Sequence, residues 1–247
     1  MEVSNLAEEV KPYKDREDNK KQQVADMFDN IAHKYDFLNH LLSLGIDKGW
    51  RKKAIKMVAP RKPKRILDLA TGTGDFAFEA LRLNPDRIEA ADISEGMLDI
   101  GRQKNKKRGK TELINFVYGD SENLNYGDNY FDLITIGFGV RNFENLKAGL
   151  AEMRRVIKPQ GQVCIIEFSK PRSFPMKQLF GIYSKVVLPV IGRLFSKDKS
   201  AYTYLPESSA AFPDGEEFIQ IMNEVGYSKT IEKRLTGGIA TIYLAEK

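Results

Sequence analysis

Apolar residues near the start of the chain recur at helical spacing: Val24, Met27, Phe28, Ile31 and Tyr35 fall on one face. A second apolar cluster, Phe37–Leu44, ends near Gly45, and a basic amphipathic helix from Lys48 to Val58 stops at Pro60. The period then shortens. Arg65–Ala70 is a near-continuous apolar run, the mark of a strand covered on both faces. A glycine-rich turn follows, then a helical stretch, Asp75–Leu83. Arg87–Ile93, Leu113–Gly119, Tyr130–Gly137 and Gln162–Phe168 read as further strands, with helices at Glu95–Asn105 and Leu146–Val156. Strands alternating with helices at this pitch predict βαβ units around a parallel sheet. The end breaks that rule. Tyr227–Leu235 and Ile239–Ala245 are both strand-like, and Thr236-Gly237-Gly238 between them is too short for a crossover. They form a hairpin, so the last strand runs antiparallel to its neighbour. The predicted fold is α/β and Rossmann-like, a mostly parallel seven-stranded sheet with a C-terminal antiparallel hairpin.

Three parts follow from the pattern. Residues 1–22 carry few large apolar side chains and read as a mobile N-terminal tail; residues 23–60 form a helical N-terminal lid; residues 61–247 form the core, with an insertion at 171–213 on the substrate side. The chain has 247 residues, enough for one large domain with a small lid, and 42% hydrophobic residues supply a sizeable core. The start is polar and lacks the apolar stretch of a signal peptide. Leu179–Phe195 comes nearest to a membrane span but is interrupted by Lys185, Pro189 and Arg193. Cys164 is the sole cysteine, which excludes a disulfide within the chain and suggests a reducing, cytoplasmic setting. The formal net charge of +5 is clustered: Lys48–Arg65 and Arg102–Lys110 contain no acidic residue. Such patches suit an anionic membrane face or nucleic acid, and equally suit solvated helix surfaces.

Asp68-Leu-Ala-Thr-Gly72-Thr73-Gly74-Asp75 follows the first strand and opens a helix, and with Ala77 it also satisfies the dinucleotide pattern G-x-G-x-x-A. The acids decide between cofactors. Asp68 and Asp75 bracketing this turn would repel a pyrophosphate. S-adenosylmethionine has no phosphate there; it brings an ammonium and a sulfonium, which suit nearby carboxylates, and a carboxylate, which suits a helix N-terminus. Asp92 ends the second strand, about 20 residues on, where an acid grips ribose hydroxyls. Asp120, followed by Ser121, ends the third strand and is placed to accept from an adenine amino group. Helix capping explains any one of these acids but not the series. A parallel sheet closed by an antiparallel hairpin is also the architecture associated with S-adenosylmethionine methyltransferases.

Two longer stretches carry a more specific resemblance. Tyr35-Asp36-Phe-Leu-Asn39-His-Leu-Leu-Ser43-Leu-Gly-Ile-Asp47-Lys-Gly-Trp50 and Arg155-Val-Ile-Lys158-Pro159-Gln160-Gly161-Gln-Val-Cys-Ile-Ile-Glu167-Phe-Ser169 resemble the paired motifs of the ubiquinone/menaquinone C-methyltransferases. Phe138-Gly139-Val-Arg141-Asn142, Leu188-Pro189 and Tyr202-Thr-Tyr204-Leu205-Pro206-Glu207-Ser208 match as well, from about Val24 to the C-terminus. Leu38, Asp47 and Gln160 depart from the usual Met, His and Gly. The loop form Ala-Thr-Gly-Thr-Gly-Asp favours a menaquinone-type member. The resemblance implies that Thr73, Asp92, Asp120 and Ser121 contact S-adenosylmethionine, that Gly137 lines its pocket, and that Tyr35, Arg141 and Asn142 lie near a quinol.

The reaction so implied is methyl transfer to a ring carbon of demethylmenaquinol. The alternatives are the benzoquinol ring of ubiquinone biosynthesis and a non-catalytic cofactor-binding subunit of a membrane assembly. An oxidised quinone ring is electron-poor, so the nucleophile is the quinol, and the protein must orient two partners and stabilise a phenolate-like oxygen. Arg141 is a candidate for that role unless it pairs with Glu144, and Tyr35 is another unless it is a packed aromatic. No Cys/His/Asp cluster has metal-ligand spacing, and methyl transfer needs no metal. The partner expected is a lipophilic prenylated quinol, reached through the membrane surface by the apolar and basic segment Phe174–Phe195, with the enzyme cytoplasmic or peripheral at the inner face. A homo-oligomer is left open. A nucleic-acid partner is not expected: no Asn-Pro-Pro-Tyr-like base-flipping motif is present, and one cysteine excludes a two-cysteine mechanism.

Overall fold

The structure is a computed structural model that describes residues 10–183 and 200–247. Its strands are β1 (Arg65–Leu69), β2 (Arg87–Asp92), β3 (Ile114–Tyr118), β4 (Phe131–Gly137), β5 (Ile157–Phe168), β6 (Ser228–Leu235) and β7 (Ala240–Glu246). They form one seven-stranded sheet in the order β3-β2-β1-β4-β5-β7-β6. The first five strands in that order are parallel, and β7 is antiparallel to both β5 and β6. The sheet and its terminal hairpin therefore match the pattern predicted from the sequence.

Helices cover both faces, which is why the inner strands are near-continuous apolar runs. On one face α5 (Leu146–Val156) and α8 (Glu216–Val225) bury Leu150, Met153, Phe218 and Met222 against Leu67, Ile134 and Val163. On the other, α2 (Ile46–Val58), α3 (Asp75–Ala80) and α4 (Glu95–Arg108) bury Trp50, Ile55, Ala77 and Leu98 against Ile66, Leu133 and Cys164. β7 is buried along its whole length, while the edge strand β6 exposes Lys229 and Lys233, charges that discourage pairing with another chain.

The N-terminal part differs in detail from the sequence reading. Helix α1 runs unbroken over Lys20–Leu42 and stops where Leu44 and Gly45 take left-handed backbone. It thus begins inside the segment assigned to a tail. Val10 and Tyr13 of that segment pack against the cluster formed by Val24, Met27, Leu38, Ala201 and Tyr204. The reason is apolar area that two well-spaced residues supply and composition over a window does not register. Within the 171–213 insertion, α6 (Met176–Ile182) and α7 (Ser200–Ala211) are helical. Lys185, Val186, Val187, Leu188, Ile191 and Arg193, assigned above to a membrane-facing segment, lie outside the described residues. Helix α8 has no counterpart in the sequence reading, although Phe218, Ile221 and Met222 carry a helical spacing.

One buried carboxylate joins the elements that shape the site. Asp68, near the end of β1, accepts from the Thr71 hydroxyl (2.5 Å), the Thr135 hydroxyl on β4 (2.6 Å) and the Ala77 amide in α3 (3.0 Å). Burial pushes its carboxyl up to about 6, against those three hydrogen bonds, which pull it down. The folded chain therefore holds this proton more tightly than the unfolded chain. Its contribution to stability is fully present below the unfolded value of roughly 4 and is lost as pH rises through about 6. We expect Asp68→Asn, which cannot ionise, to gain roughly 2–3 kcal/mol on the parent between pH 4 and pH 7 in urea unfolding. A difference between the two proteins that does not change with pH would contradict this.

Candidate active site

The strand order reverses between β1 and β4, and ligands of open α/β sheets bind at the carboxyl ends of the strands at such a point. A cavity of about 650 Å³, counting its open mouth, lies there. Its floor is the bent backbone after each strand. Ala70 after β1 and Phe138 after β4 both take positive φ, 51° and 61°, a conformation that L side chains rarely adopt and that functional sites often retain. Its roof is α1, which contributes Lys21, Val24, Phe28 and Tyr35.

Gly72, Asp92, Asp120, Ser121 and Gly137, all assigned to the cofactor, line this one cavity, and so do Tyr35 and Asn142, assigned to the substrate. Asp92 accepts from the Gly72 amide (2.7 Å) and the Ser94 amide (3.0 Å), which aims its carboxylate at the loop. Burial raises its carboxyl above the ordinary value, and these backbone hydrogen bonds offset part of that. A carboxylate has about four acceptor sites, so capacity for ribose hydroxyls remains. Asp120 accepts from the Glu122 amide (2.9 Å) and from the Lys21 ammonium (2.7 Å). Gly72 has φ 55°, and a Cβ there would fill the space toward the Tyr35 ring, 3.8 Å away. These groups fit S-adenosylmethionine: Asp92 would hold the ribose, Asp120 and Ser121 the adenine edge, and the backbone at Gly72 and Gly137 the methionine portion.

Four assigned residues face elsewhere. Asp68 spends both oxygens on the protein, as described, because it lies beneath the loop. Thr73 is buried; its hydroxyl donates to Asp36 of α1 and accepts from Lys104 of α4 (3.0 Å). Gly74 is a packing position, since a Cβ there would meet the Phe116 ring at 2.5 Å. Arg141 is buried and does not line the cavity; its guanidinium pairs with Glu167 at the end of β5 (2.7 Å) rather than with Glu144. It also donates to the Phe138 carbonyl (2.5 Å) and lies over the Phe168 ring. Glu144 is engaged instead by the amide of Lys20 (3.0 Å).

The structure adds residues that the sequence did not single out for the site. Lys104 binds Asp36 (2.9 Å) and Asp75 (2.8 Å), and Asp29 accepts from Ser94 Oγ (2.5 Å) and the Gly96 amide (2.9 Å), so α1 is tied to α4 at two levels. Tyr204, in α7, reaches Asn142, with its hydroxyl donating to Oδ1 (3.1 Å). Its signal was its place in a matched motif, which gave no direction. Among the described residues no group of His, Cys, Asp and Glu is arranged to hold a metal.

Asp92→Ala should weaken S-adenosylmethionine binding by about tenfold to a hundredfold, the value of charge-assisted hydrogen bonds to the ribose. Calorimetry on a variant with an unchanged unfolding midpoint measures it. Unchanged affinity would remove Asp92 from the cofactor site.

Known proteins carry the same architecture. A putative O-methyltransferase from Nostoc punctiforme superimposes with a TM-score of 0.63 at 15% identity, over 89% of this chain and 60% of that one. A putative S-adenosylmethionine-dependent methyltransferase from Methanococcus maripaludis gives 0.58 at 18% identity, over 95% and 97%. These likenesses establish the fold. Sequence relatives are nearer. The demethylmenaquinone methyltransferase of Bacteroides fragilis is 52% identical over 97% of this chain and 98% of its own, and that of Porphyromonas gingivalis is 44% identical over 97% and 98%. The ubiquinone/menaquinone biosynthesis C-methyltransferase UbiE of Geobacter sulfurreducens is 45% identical over 92% and 90%. The profile of the ubiE/COQ5 methyltransferase family matches residues 16–247, and the chain belongs to that family of S-adenosylmethionine-dependent methyltransferases.

Proposed function

We propose that the enzyme transfers the methyl group of S-adenosylmethionine to a ring carbon of demethylmenaquinol, giving menaquinol in the last step of menaquinone biosynthesis. The observation that carries the reading is that Asp92 and Asp120 share one cavity with Tyr35 and Asn142. A donor held by the first pair thus meets an acceptor held by the second. The Bacteroides fragilis and Porphyromonas gingivalis relatives bear the matching name. When bound, S-adenosylmethionine supplies an electrophilic methyl on a cationic sulfur.

The chain's own groups must present the acceptor carbon and ease charge on the neighbouring ring oxygen. Asn142 and Tyr35 are placed on the cavity wall to donate to ring oxygens. Burial raises the Tyr35 phenol above its ordinary value, so it stays protonated and available as a donor. Arg141 acts differently from a free cation: Glu167 faces it at 2.7 Å with no exposure, and the pair holds the Phe138–Asn142 turn in shape. The quinol loses its hydroxyl proton as the ring carbon takes the methyl; the hydrogen that carbon carried then leaves as a second proton, which restores the aromatic ring as a phenolate, and the oxygen takes one proton back. Donors oriented toward the developing charge carry most of such catalysis.

Labelled S-adenosylmethionine offered with demethylmenaquinol and with the demethylated benzoquinol tests the substrate. We expect label in the naphthoquinol at a kcat/KM at least about tenfold higher, the discrimination that one extra fused ring in an apolar pocket supports. Preference for the benzoquinol would place the enzyme in ubiquinone biosynthesis, and label in neither would remove the quinol reading.

The acceptor's prenyl tail stays in a bilayer, so the reading requires contact with a membrane surface. No helix among the described residues is long and apolar enough to cross a membrane. Helix α6 and the turn before it expose Phe174, Leu179 and Ile182 beside the exposed Lys177 and Arg172, a composition suited to an interface. Co-sedimentation with vesicles should rise with anionic lipid and fall with salt. The triple variant Phe174→Ser/Leu179→Ser/Ile182→Ser should lose most binding while keeping activity on a short-tailed soluble quinol. Vesicle binding equal to the parent's would assign these residues to another role.

A further inference from the structure

Asn142 is held from two sides. Its Nδ2 lies 3.5 Å from the Phe138 carbonyl, which only accepts, and its Oδ1 lies 3.1 Å from the hydroxyl of Tyr204. The first contact fixes which end of the amide is nitrogen. The second then requires Tyr204 to donate. Of the two N–H groups of Nδ2 the Phe138 carbonyl takes one, which leaves the other to donate to a group bound in the cavity that Asn142 lines.

The neighbouring groups explain why this matters. Arg141, the obvious cation, has its charge met by Glu167, and its Nη1 is shared between Glu167 and the Phe138 carbonyl. Arg141 therefore braces the turn that carries Asn142, from below, while Lys20 donates to the Arg141 carbonyl (3.1 Å) from the lid. Tyr204 braces it from the insertion. Tyr204 is 2% exposed and packs with Val24, Met27 and Leu38 of α1, so its ring is fixed before its hydroxyl reaches Asn142. Burial pushes its phenol up, which keeps the proton on the oxygen that must donate. It does not line the cavity.

We propose that Tyr204 is a positioning residue for the methyl transfer: its hydroxyl locks the Asn142 amide so that Nδ2 donates to the ring oxygen of the quinol. The proposal rests on the quinol reading given above. It also assigns α7 a task in turnover, since the insertion supplies the lock and the β4 turn supplies the donor.

Tyr204→Phe removes only the hydroxyl. Steady-state turnover of demethylmenaquinol should fall about ten- to a hundredfold in kcat, the cost of losing one hydrogen bond and the orientation it sets. The KM for the quinol and the calorimetric affinity for S-adenosylmethionine should stay within about twofold of the parent, because the interaction serves the transition state. Asn142→Ala should be slow, and adding Tyr204→Phe to it should change kcat by no more than about twofold, since residues acting as a unit are not additive. Asn142→Asp keeps an acceptor for Tyr204 but offers no N–H, and should be as slow as Asn142→Ala. It tests the donor role even where Tyr204→Phe fails to fold. Kcat of Tyr204→Phe within about twofold of the parent, additive losses in the double variant, or an active Asn142→Asp would each overturn the proposal. A parent that does not methylate the quinol at all would instead overturn the functional reading on which it stands.

Discussion

Asp68 shows how one buried group organises the molecule around its site. Its carboxylate draws together the end of β1, Thr135 of β4 and the first turn of α3. Those are the elements between which the strand order reverses. A buried acid of this kind is costly unless it is hydrogen-bonded, and three donors meet its two oxygens. With the loop so anchored, Gly72 turns its amide to Asp92 of β2, and the cavity wall runs on through β3 to Asp120. The acid that the sequence offered as a ligand contact is thus the anchor on which the cavity-lining acid depends.

The second dependence is between the lid and the core. Helix α1 is a wall of the cavity, held by Asp29 at the start of α4 and by Asp36 at Thr73 and Lys104. It presents Tyr35 to the cavity, and its buried Val24, Met27 and Leu38 meet α7 through Tyr204. The reacting pocket is therefore assembled from three parts of the chain: the sheet edge supplies the acids, the lid supplies the phenol of Tyr35, and the turn after β4 supplies Asn142. The neutralised Arg141–Glu167 pair belongs to the frame. A guanidinium with a carboxylate at 2.7 Å orients its surroundings more than it attracts a distant anion.

Much of the fold was legible because its signals are local. Ile66-Leu67 with Leu69, or Leu133-Ile134 with Ile136, are apolar on both faces, and Gly237-Gly238 permits only a hairpin. The acids at strand ends were legible as a set, and Asp92 and Asp120 reach the cavity as the βαβ pattern predicts. What was not legible depends on register. Glu167 meets Arg141 because β4 and β5 pair with Gly137 opposite Ile166, a relation between residues 26 apart that no local pattern encodes. Glu144, nearer in sequence, looked the better partner. Asp68 and Asp92 both read as strand-end acids; only the side each faces separates an anchor from an acid that lines the cavity. Tyr204 depends on how the insertion folds back on α1, which spacing does not reveal.

The central claim is that this cavity holds an electron-rich ring and lets its oxygen share charge with Asn142 and Tyr35 while a methyl arrives. The redox state of the acceptor tests it most directly. Under anaerobic conditions, labelled S-adenosylmethionine is offered with the same demethylated naphthoquinone, either oxidised or fully reduced, and incorporation of label into the ring is measured. The account predicts transfer to the reduced ring alone. Equal labelling of the oxidised quinone, kept free of reductant, would contradict it.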